Sequence, residues 1–209
     1  MSGVFLTIEG TEGVGKSTSI GFLRSFLEQA GYSVIVTREP GGTQLGERIR
    51  EWILSSRAGS LSATTEVLLM YAARAHHIEQ VILPALNAGK WVICDRFADA
   101  TTAYQGAGRR ADQELLQSLN KAVLQDLTPD LTLLLDAPLD IGFGRIRHRE
   151  KDHFEQEGRE FFEKVRAEYH AIAAREPDRV EVIDAAQTPE DVQDSLRSAL
   201  RRFIARHKH

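Results

Sequence analysis

One short run in the sequence combines residue types and a spacing that suit phosphate binding. Residues 10–17 read GTEGVGKS, which fits the pattern G-x-x-x-x-G-K-S. Glycines let the backbone wrap a phosphate with its N–H groups, and the N-terminus of a following helix favours the same anion. In such a turn Lys16 reaches the β- and γ-phosphates and the Ser17 hydroxyl binds Mg²⁺. The run therefore predicts a P-loop for a nucleoside triphosphate.

A P-loop serves kinases, GTPases and motor ATPases alike, so the choice among them depends on the rest of the chain. GTPases usually carry an Asn-Lys-x-Asp stretch that reads guanine, and this sequence has none. That observation disfavours a GTPase. It leaves a kinase and an ATP-dependent switch or motor open.

Two further runs place cations where predicted strands end. Residues 37–43 read TREPGGT and residues 94–97 read CDRF. The carboxyl ends of parallel strands form the edge of a sheet where ligands bind. The planar forks of Arg38 and Arg96 suit a monophosphate, and Asp95 suits Mg²⁺ or its bound waters. A solvated arginine in a glycine turn and a strand-end cap are the competing interpretations.

The elements that must position these residues alternate between short apolar runs and amphipathic stretches. This alternation predicts an α/β fold in one domain, residues 1–209, with a mainly parallel sheet. The runs are almost continuously apolar at their centres, as in strands covered by helices on both faces. The predicted strands are Val4–Glu9, 33–37, Trp91–Asp95, Leu131–Asp136 and 180–183.

Helix boundaries are marked by capping residues. Ser62 precedes a long amphipathic stretch, residues 63–87, and Thr188 precedes a proline and two acidic residues. Both are typical of helix N-termini, while Gly31 and Gly89 fall where helices should end. The Glu39–Pro40 bond is a candidate for a cis peptide. Residues 145–158 are densely charged with few apolar anchors, which predicts a mobile segment.

Composition limits the partners and the compartment. The formal net charge is −4 over 209 residues, so nothing suggests a nucleic-acid or membrane-surface partner. A single cysteine, Cys94, excludes an internal disulfide and is typical of a reducing compartment. The N-terminal run does not have the form of a signal peptide, and no apolar stretch is long enough to span a bilayer. The expected location is the cytoplasm.

Taken together, these runs resemble the bacterial thymidylate kinases over essentially the whole chain. The resemblance rests on the P-loop with Glu12 and on residues 37–43, 71–74, 95–97, 103–106, 129–136 and 152–155. It implies a P-loop NTPase fold with a five-stranded parallel sheet. The implied activity is transfer of the γ-phosphoryl of ATP, with Mg²⁺, onto dTMP to form dTDP for dTTP synthesis. The family is also commonly homodimeric.

The resemblance assigns roles to individual residues. Lys16, Arg96, Arg149 and Glu12 are implied to be catalytic, and Ser17 and Asp95 to bind the metal. The implied contacts of ATP are Gly10, Gly13, Val14, Gly15, Lys16, Ser17, Thr18 and Arg145. The implied contacts of dTMP are Glu12 (sugar 3′-hydroxyl), Arg38 and Arg96 (phosphate), Arg74 (thymine O4), Met70, Thr101 and Gln105 (base) and Tyr104, whose ring excludes a ribose 2′-hydroxyl.

Residues 145–158 are expected to form a lid. Because the P-loop has no arginine at its variable positions, the resemblance implies that Arg149 supplies positive charge to the transferring phosphoryl group, with Arg145 near adenine. The chain departs from the family at Met70, where many relatives have phenylalanine, at Glu150, where glycine is usual, and at His153, where arginine is usual.

Two rival functions remain open from the sequence. A deoxynucleoside kinase would use the same scaffold, but two acceptor-side arginines favour a monophosphate over a bare hydroxyl. An ATP-dependent switch would hydrolyse ATP slowly and ignore dTMP. His76 and His77 have no metal-ligand spacing and are interpreted as structural.

Overall fold

The computed structural model describes residues 3–55, 61–146, 154 and 157–207. Their sheet has five parallel strands in the order β2-β3-β1-β4-β5. The strands are β1 (Val4–Glu9), β2 (Val34–Arg38), β3 (Trp91–Asp95), β4 (Leu131–Asp136) and β5 (Val180–Asp184). The predicted strands are therefore confirmed, with small boundary differences at β2 and β5.

Helices connect the strands. They are α1 (Lys16–Gln29), α2 (Gln44–Ser55), α3 (Ala63–His77), α4 (Leu83–Asn87), α5 (Ala98–Thr101), α6 (Gln113–Leu124), α7 (Leu139–Ile146), α8 (Arg159–Arg175) and α9 (Pro189–His207). Two π-helical segments, Ile78–Ile82 and Thr102–Gly108, follow α3 and α5 directly.

Alternate residues of the central strand β1 pack against helices on opposite faces of the sheet. Leu6 and Ile8 lie in one buried cluster with α1 and α9, whereas Phe5 lies in another with Ile82 and Ala85. Because side chains alternate in direction along a strand, each face needs its own helical layer. The prediction of helices on both faces is confirmed.

The long helix predicted over residues 63–87 is present, but it is not regular throughout. The Ser62 hydroxyl accepts a hydrogen bond from the Thr65 backbone N–H at 3.1 Å, so Ser62 is the N-cap. The π-helical segment Ile78–Ile82 lies immediately before Pro84. Proline has no N–H to donate to the preceding turn, and a wider π turn accommodates that loss.

Further local predictions are confirmed, whereas most of the segment predicted to be mobile, residues 145–158, lies outside the described residues. Gly31 and Gly89 follow α1 and α4 with positive φ, Thr188 caps α9, and the Glu39–Pro40 peptide is cis. Among the described residues, no helix is both long and apolar enough to cross a membrane.

The strand order brings the predicted chemistry to one edge of the sheet. Strands lie on both sides of β1 in the sheet: β3 and β2 on one side, and β4 and β5 on the other. Such a switch point opens a crevice at the carboxyl ends of the strands. The register pairs Ile8 with Asp95 and Arg38 with Asp95, so β1, β2 and β3 end at the same level.

Candidate functional site

A single cavity of about 480 Å³ lies at this carboxyl edge. It joins the P-loop to side chains from the β2–α2 loop, α2, α3 and the residues after β3. The predicted site residues that line it are Glu12, Gly13, Gly15, Lys16, Ser17, Thr18, Met70, Arg74, Asp95, Arg96, Thr101, Tyr104, Gln105 and Arg145. The structure therefore brings together most of what the sequence placed in the site.

The P-loop has a backbone conformation that its glycines permit. Gly13 and Gly15 have positive φ angles of 74° and 92°. A Cβ atom on Gly13 would also collide with the backbone of Gly142, so glycine is required there for space as well as conformation. Gly10 and Val14 do not line the cavity among the described residues. Val14 packs in the core, which leaves it only its backbone for contact with a phosphate.

Lys16 is held within the turn. Its Nζ donates to the carbonyl oxygens of Gly10 at 3.0 Å and Thr11 at 2.8 Å. Burial lowers the pKa of Lys16 to about 8, the nearby charge of Arg96 acts in the same direction, and Glu12 and Asp95 oppose both. An ammonium in this position, beside the Arg96 cation, is suited to binding an anion such as a phosphate, which would favour its charged form.

Glu12, Arg96 and Tyr104 form a hydrogen-bonded cluster beside the P-loop. Arg96 Nη2 donates to Glu12 Oε1 at 2.8 Å, and the Tyr104 hydroxyl lies 2.8 Å from both Glu12 oxygens. The Arg96 guanidinium also lies 4.7 Å from the centroid of the Tyr104 ring. Because each member contacts the other two, the cluster presents a cation, a carboxylate and an aromatic ring in fixed positions.

Arg96 is supported by further hydrogen bonds through Tyr169 and Glu9. Arg96 has a positive φ of 68°, and its Nη1 donates to the Tyr169 hydroxyl at 3.2 Å. Tyr169 in turn donates to Glu9 Oε2 at 2.7 Å, while the Phe97 N–H donates to Glu9 Oε1 at 2.7 Å. Burial raises the pKa of the Glu9 carboxyl to about 7, Asp99 adds to the effect, and Arg96 opposes it.

Arg74 lies at the opposite end of the cavity from the P-loop and is 2% exposed. Its Nε donates to Glu39 Oε2 at 2.7 Å, and its Nη2 donates to the Phe97 carbonyl at 3.1 Å and to Thr101 Oγ1 at 2.9 Å. Its Nη1 is buried and has no hydrogen-bond partner among the described residues. A buried unpaired donor on a cavity wall is suited to an acceptor atom of a ligand.

Met70 and Gln105 complete this end of the cavity. Both are buried and line the wall, and Gln105 Nε2 donates to the buried carboxylate of Glu66 at 3.3 Å. The Met70 thioether supplies an apolar surface that can cover the face of a flat ring. This end therefore combines an apolar wall with a few fixed polar groups, as small-molecule sites do.

Arg38, which was predicted to contact the acceptor phosphate, lies at the surface, and a different arginine, Arg50, lines the cavity. Arg38 forms a two-contact ion pair with Glu47 at the surface, its side chain is 51% exposed, and it does not line the cavity in the described part of the chain. Arg50, on α2, does line it and donates to the Pro40 carbonyl at 3.2 Å. The ion pair with Glu47 turns Arg38 outward. Arg50 and Arg96 are thus the arginines that face the middle of the cavity.

The residues proposed for Mg²⁺ fit a hydrated cation. Asp95 Oδ1 is buried and accepts no hydrogen bond from the described residues, and Asp95 and Ser17 both line the cavity. No group of three or more His, Cys, Asp or Glu side chains is placed to hold a metal within residues 3–55, 61–146, 154 and 157–207. Mg²⁺ needs no such cage, because it is commonly held by one or two protein oxygens, phosphates and water.

Of the predicted lid, residues 145–158, the structure describes residues 145, 146, 154, 157 and 158. Arg149, Glu150 and His153 lie outside the described residues. Arg145, in the last turn of α7, donates to the Ala185 carbonyl at 3.0 Å and lies beside the P-loop. Phe154 is 7% exposed, lines the cavity and packs edge-on against Tyr104 at 5.7 Å. It is a buried apolar anchor that the sequence analysis did not anticipate.

Several residues around the site were missed from the sequence. Arg50 carried one signal: it lies four residues after Gly46 and next to Ile49, on the buried side of α2, where an arginine needs a partner. Glu39, Tyr169 and His77 carried none that was specific. His77 is fully buried and bonded to Glu39, so it is structural as predicted, and it supports a residue of the cavity wall without lining the cavity itself.

Comparison with known proteins agrees with this geometry. The family model for thymidylate kinase matches residues 8–196. The thymidylate kinase of Pseudomonas syringae pv. tomato is 52% identical over 197 residues, covering 94% of each chain. That of Pseudomonas putida is 49% identical over 207 residues and 99% of each chain. The crystal structure of thymidylate kinase from Ehrlichia chaffeensis superposes with a TM-score of 0.77 at 34% identity, covering 96% of this chain and 99% of that one.

These matches cover nearly the whole chain, residues 8–196 for the family model and 94–99% of the chain for the relatives. They span the P-loop, the acceptor-side arginines and the helices between them, and the parallel sheet is that of a P-loop NTPase. The chain belongs to the thymidylate kinase family.

Proposed function

We propose that the protein transfers the γ-phosphoryl group of ATP to dTMP, forming dTDP on the route to dTTP for DNA replication. The observation that supports this best is the continuity of one cavity. It runs from the P-loop at Lys16, past Arg50 and Arg96, to the unpaired Nη1 of Arg74. A phosphate donor, an acceptor phosphate and an acceptor base would follow each other in that order.

The transfer requires charge compensation more than proton transfer. The acceptor phosphate of dTMP is already an oxyanion, so it can attack in line without a general base. Lys16 neutralises the donor phosphates, and Arg96 and Arg50 hold the acceptor phosphate against them. The contact between Arg96 and Glu12 fixes the direction of the guanidinium before substrate arrives.

Mg²⁺ would be held by Ser17 and by Asp95, directly or through water. When bound, it would supply positive charge to the oxygens of the donor triphosphate. The P-loop backbone and Lys16 orient the same phosphates from the opposite side.

The far end of the cavity accounts for the choice of acceptor. Arg74 Nη1 would donate to the thymine O4, with Met70 covering the base and Gln105 and Thr101 beside it. The bonds from the Tyr104 hydroxyl to Glu12 hold its ring where a ribose 2′-hydroxyl would lie. Glu12 would then contact the sugar 3′-hydroxyl. This arrangement would favour the deoxyribose of dTMP over the ribose of a ribonucleotide.

The basic segment that includes Arg149 is proposed to act as a lid over the transferring group. Replacing Arg149 with alanine should lower kcat by about a hundredfold or more and leave dTMP affinity nearly unchanged, because the arginine acts mainly in the transition state. Steady-state kinetics with direct dTMP binding measures both quantities. Full turnover by the variant would remove Arg149 from the mechanism.

The proposed function is tested by ADP release across four acceptors. With MgATP, the purified protein should phosphorylate dTMP well, dUMP less well, and UMP and thymidine poorly. Preference for thymidine would indicate a deoxynucleoside kinase. Slow ATP hydrolysis that ignores all four acceptors would indicate an ATP-dependent switch. The Lys16→Ala variant is the control for contaminating kinases.

The protein is also proposed to be a cytoplasmic homodimer. The long helix that begins at α3 exposes Leu68, Ala72 and Leu83 along one side, and exposed leucines on a helix are suited to a second copy. Light scattering after gel filtration should give twice the chain mass, and Leu68→Glu should shift it toward the monomer.

A further inference from the structure

A chain of buried hydrogen bonds extends from Arg74 through Glu39, which also lines the cavity, to His77 and Thr37, which are not among its described lining residues. The Glu39 carboxylate accepts from Arg74 Nε with one oxygen and contacts His77 Nδ1 with the other, at 2.7 Å and 3.0 Å. His77 Nε2 lies 2.6 Å from Thr37 Oγ1. Each of the four side chains is at least nine-tenths buried. The chain therefore runs Arg74–Glu39–His77–Thr37 through side chains that are largely shielded from solvent.

The partners fix the proton positions along this chain. Glu39 pairs with the Arg74 cation and so accepts from both neighbours, which assigns the hydrogen of His77 to Nδ1. His77 Nε2 then accepts from the Thr37 hydroxyl. Both carboxylate oxygens of Glu39 and both ring nitrogens of His77 therefore have a hydrogen-bond partner. Among the described residues, Arg74 Nη1 has none.

The imidazole is also fixed in place by its surroundings. Gly42 lies directly over it, and a Cβ atom there would collide with His77 Nε2 and Thr37 Oγ1. Gly42 has a positive φ of 74°, so a glycine is needed here both for the turn and for the close approach to the His77 ring. On the other side, α3 carries both His77 and Arg74, one helical turn apart. The ring can neither rotate away from Glu39 nor be replaced by a larger group.

We propose that His77 is a positioning residue for base recognition: it holds Glu39, and Glu39 holds the Arg74 guanidinium so that one N–H group faces the acceptor base. This inference rests on the proposed function and deepens it. A guanidinium fixed in this way is a pure donor toward the cavity. It can donate a hydrogen bond to a base that has a carbonyl oxygen at the contacted position. A base with an amino group there offers no acceptor and should bind more weakly.

The test compares two substitutions at His77 with a matched control. His77→Asn places an amide N–H near the position of Nδ1 and keeps the contact with Glu39, whereas His77→Leu removes it. His76→Asn is the control, since His76 is the neighbouring histidine on the same helix and is only half-buried. For each variant the KM for dTMP, the KM for ATP and the ratio of kcat/KM for dTMP over dCMP are measured.

His77→Leu should raise the KM for dTMP about tenfold or more, because a buried bond to a charged group is lost, and should lower the preference for dTMP over dCMP. The KM for ATP should change less than about twofold in every variant, and His77→Asn should recover most of the dTMP affinity. Equal increases for both substrates, or no rescue by asparagine, would overturn the proposal. A wild-type protein that ignores dTMP would instead refute the proposed function.

Two further measurements keep the proposal testable if His77→Leu does not fold. Thr37→Val preserves shape and removes only the hydroxyl that His77 accepts from, so it should raise the KM for dTMP a few fold. Nitrogen NMR of the ring in the intact protein should find Nδ1 protonated and Nε2 unprotonated. An unchanged KM in Thr37→Val or the opposite tautomer would contradict the chain of bonds.

Discussion

The two ends of the cavity are constructed from different kinds of contact. The proposed donor end is one continuous run, residues 10–18, of which residues 12, 13 and 15–18 line the cavity. The acceptor end is assembled from side chains on α2, α3 and the segments after β2 and β3. They are held by the Arg74–Glu39 and Arg96–Glu12 ion pairs and by a hydrogen bond from Arg50 to the Pro40 carbonyl. A phosphate chain can be bound by a local backbone turn, whereas a particular base and sugar require side chains from distant parts of the sequence.

The difference extends to how each end is supported. Among the described residues, the Lys16 ammonium donates to two carbonyls of its own turn, those of Gly10 and Thr11. Arg96 is supported through Tyr169 to Glu9, two contacts away, and Arg74 is supported through Glu39 and His77 to Thr37, three contacts away. Substitutions at the donor end should therefore act directly, and those at the acceptor end should also act through neighbours.

The largest expected effect is at the donor end. Lys16→Ala should lower kcat by about a thousandfold, because one of the main charges facing the donor phosphates is removed. Its effect on dTMP affinity should be small, since the acceptor end keeps its own support. Steady-state kinetics and calorimetric titration of dTMP separate the two. A parallel loss of dTMP binding would show that the two ends are not independent.

The second prediction concerns the two arginines of the acceptor end. Arg50→Ala should raise the KM for dTMP about ten- to a hundredfold, because a charged contact with the acceptor phosphate is lost. Arg38→Ala should raise it less than about threefold, since an exposed ion pair such as Arg38–Glu47 contributes little. The KM values for dTMP in the two variants test the ranking. The opposite order would restore Arg38 to the phosphate.

The smallest expected effect is a change in protonation at the donor end. The pKa of Lys16 is lowered to about 8 in the substrate-free protein, and a bound triphosphate should raise it toward its ordinary value. Binding at pH 8 should then take up roughly half a proton, and ATP affinity should weaken as the pH rises above that. Calorimetry in buffers of different ionisation enthalpy measures the uptake. Lys16→Arg, which stays charged, should abolish it.

The sequence predicted the donor end well because its residues are contiguous. The P-loop, the strand before it and the helix after it can all be read within residues 4–29, and each local signal agrees with the others. The positions of Gly13, Gly15, Lys16 and Ser17 at the cavity follow directly. Nothing distant in the chain is needed to establish them.

The acceptor end was predicted less completely because the directions of its side chains depend on which residues they pair with in the folded protein. Arg38 has the right residue type at the right strand end, yet Glu47 on the next helix pairs with it and turns it away. Arg50 enters the cavity because α2 presents that side to the site. Tyr169 reaches Glu9 from 160 residues away along the chain, and no local pattern carries such a contact.

The sequence by itself determined the order of strands and helices, the phosphate-binding turn and the identity of the residues available for chemistry, because hydrophobic periodicity, capping and glycine placement are local properties. The tertiary structure alone decided which arginine faces the acceptor, which nitrogen of Arg74 stays free and which histidine lies behind it. Those outcomes depend on competition between partners that meet only when the helices pack on the sheet. In each case a neighbouring carboxylate is involved: Glu47 pairs with Arg38, and Glu39 pairs with Arg74 and His77.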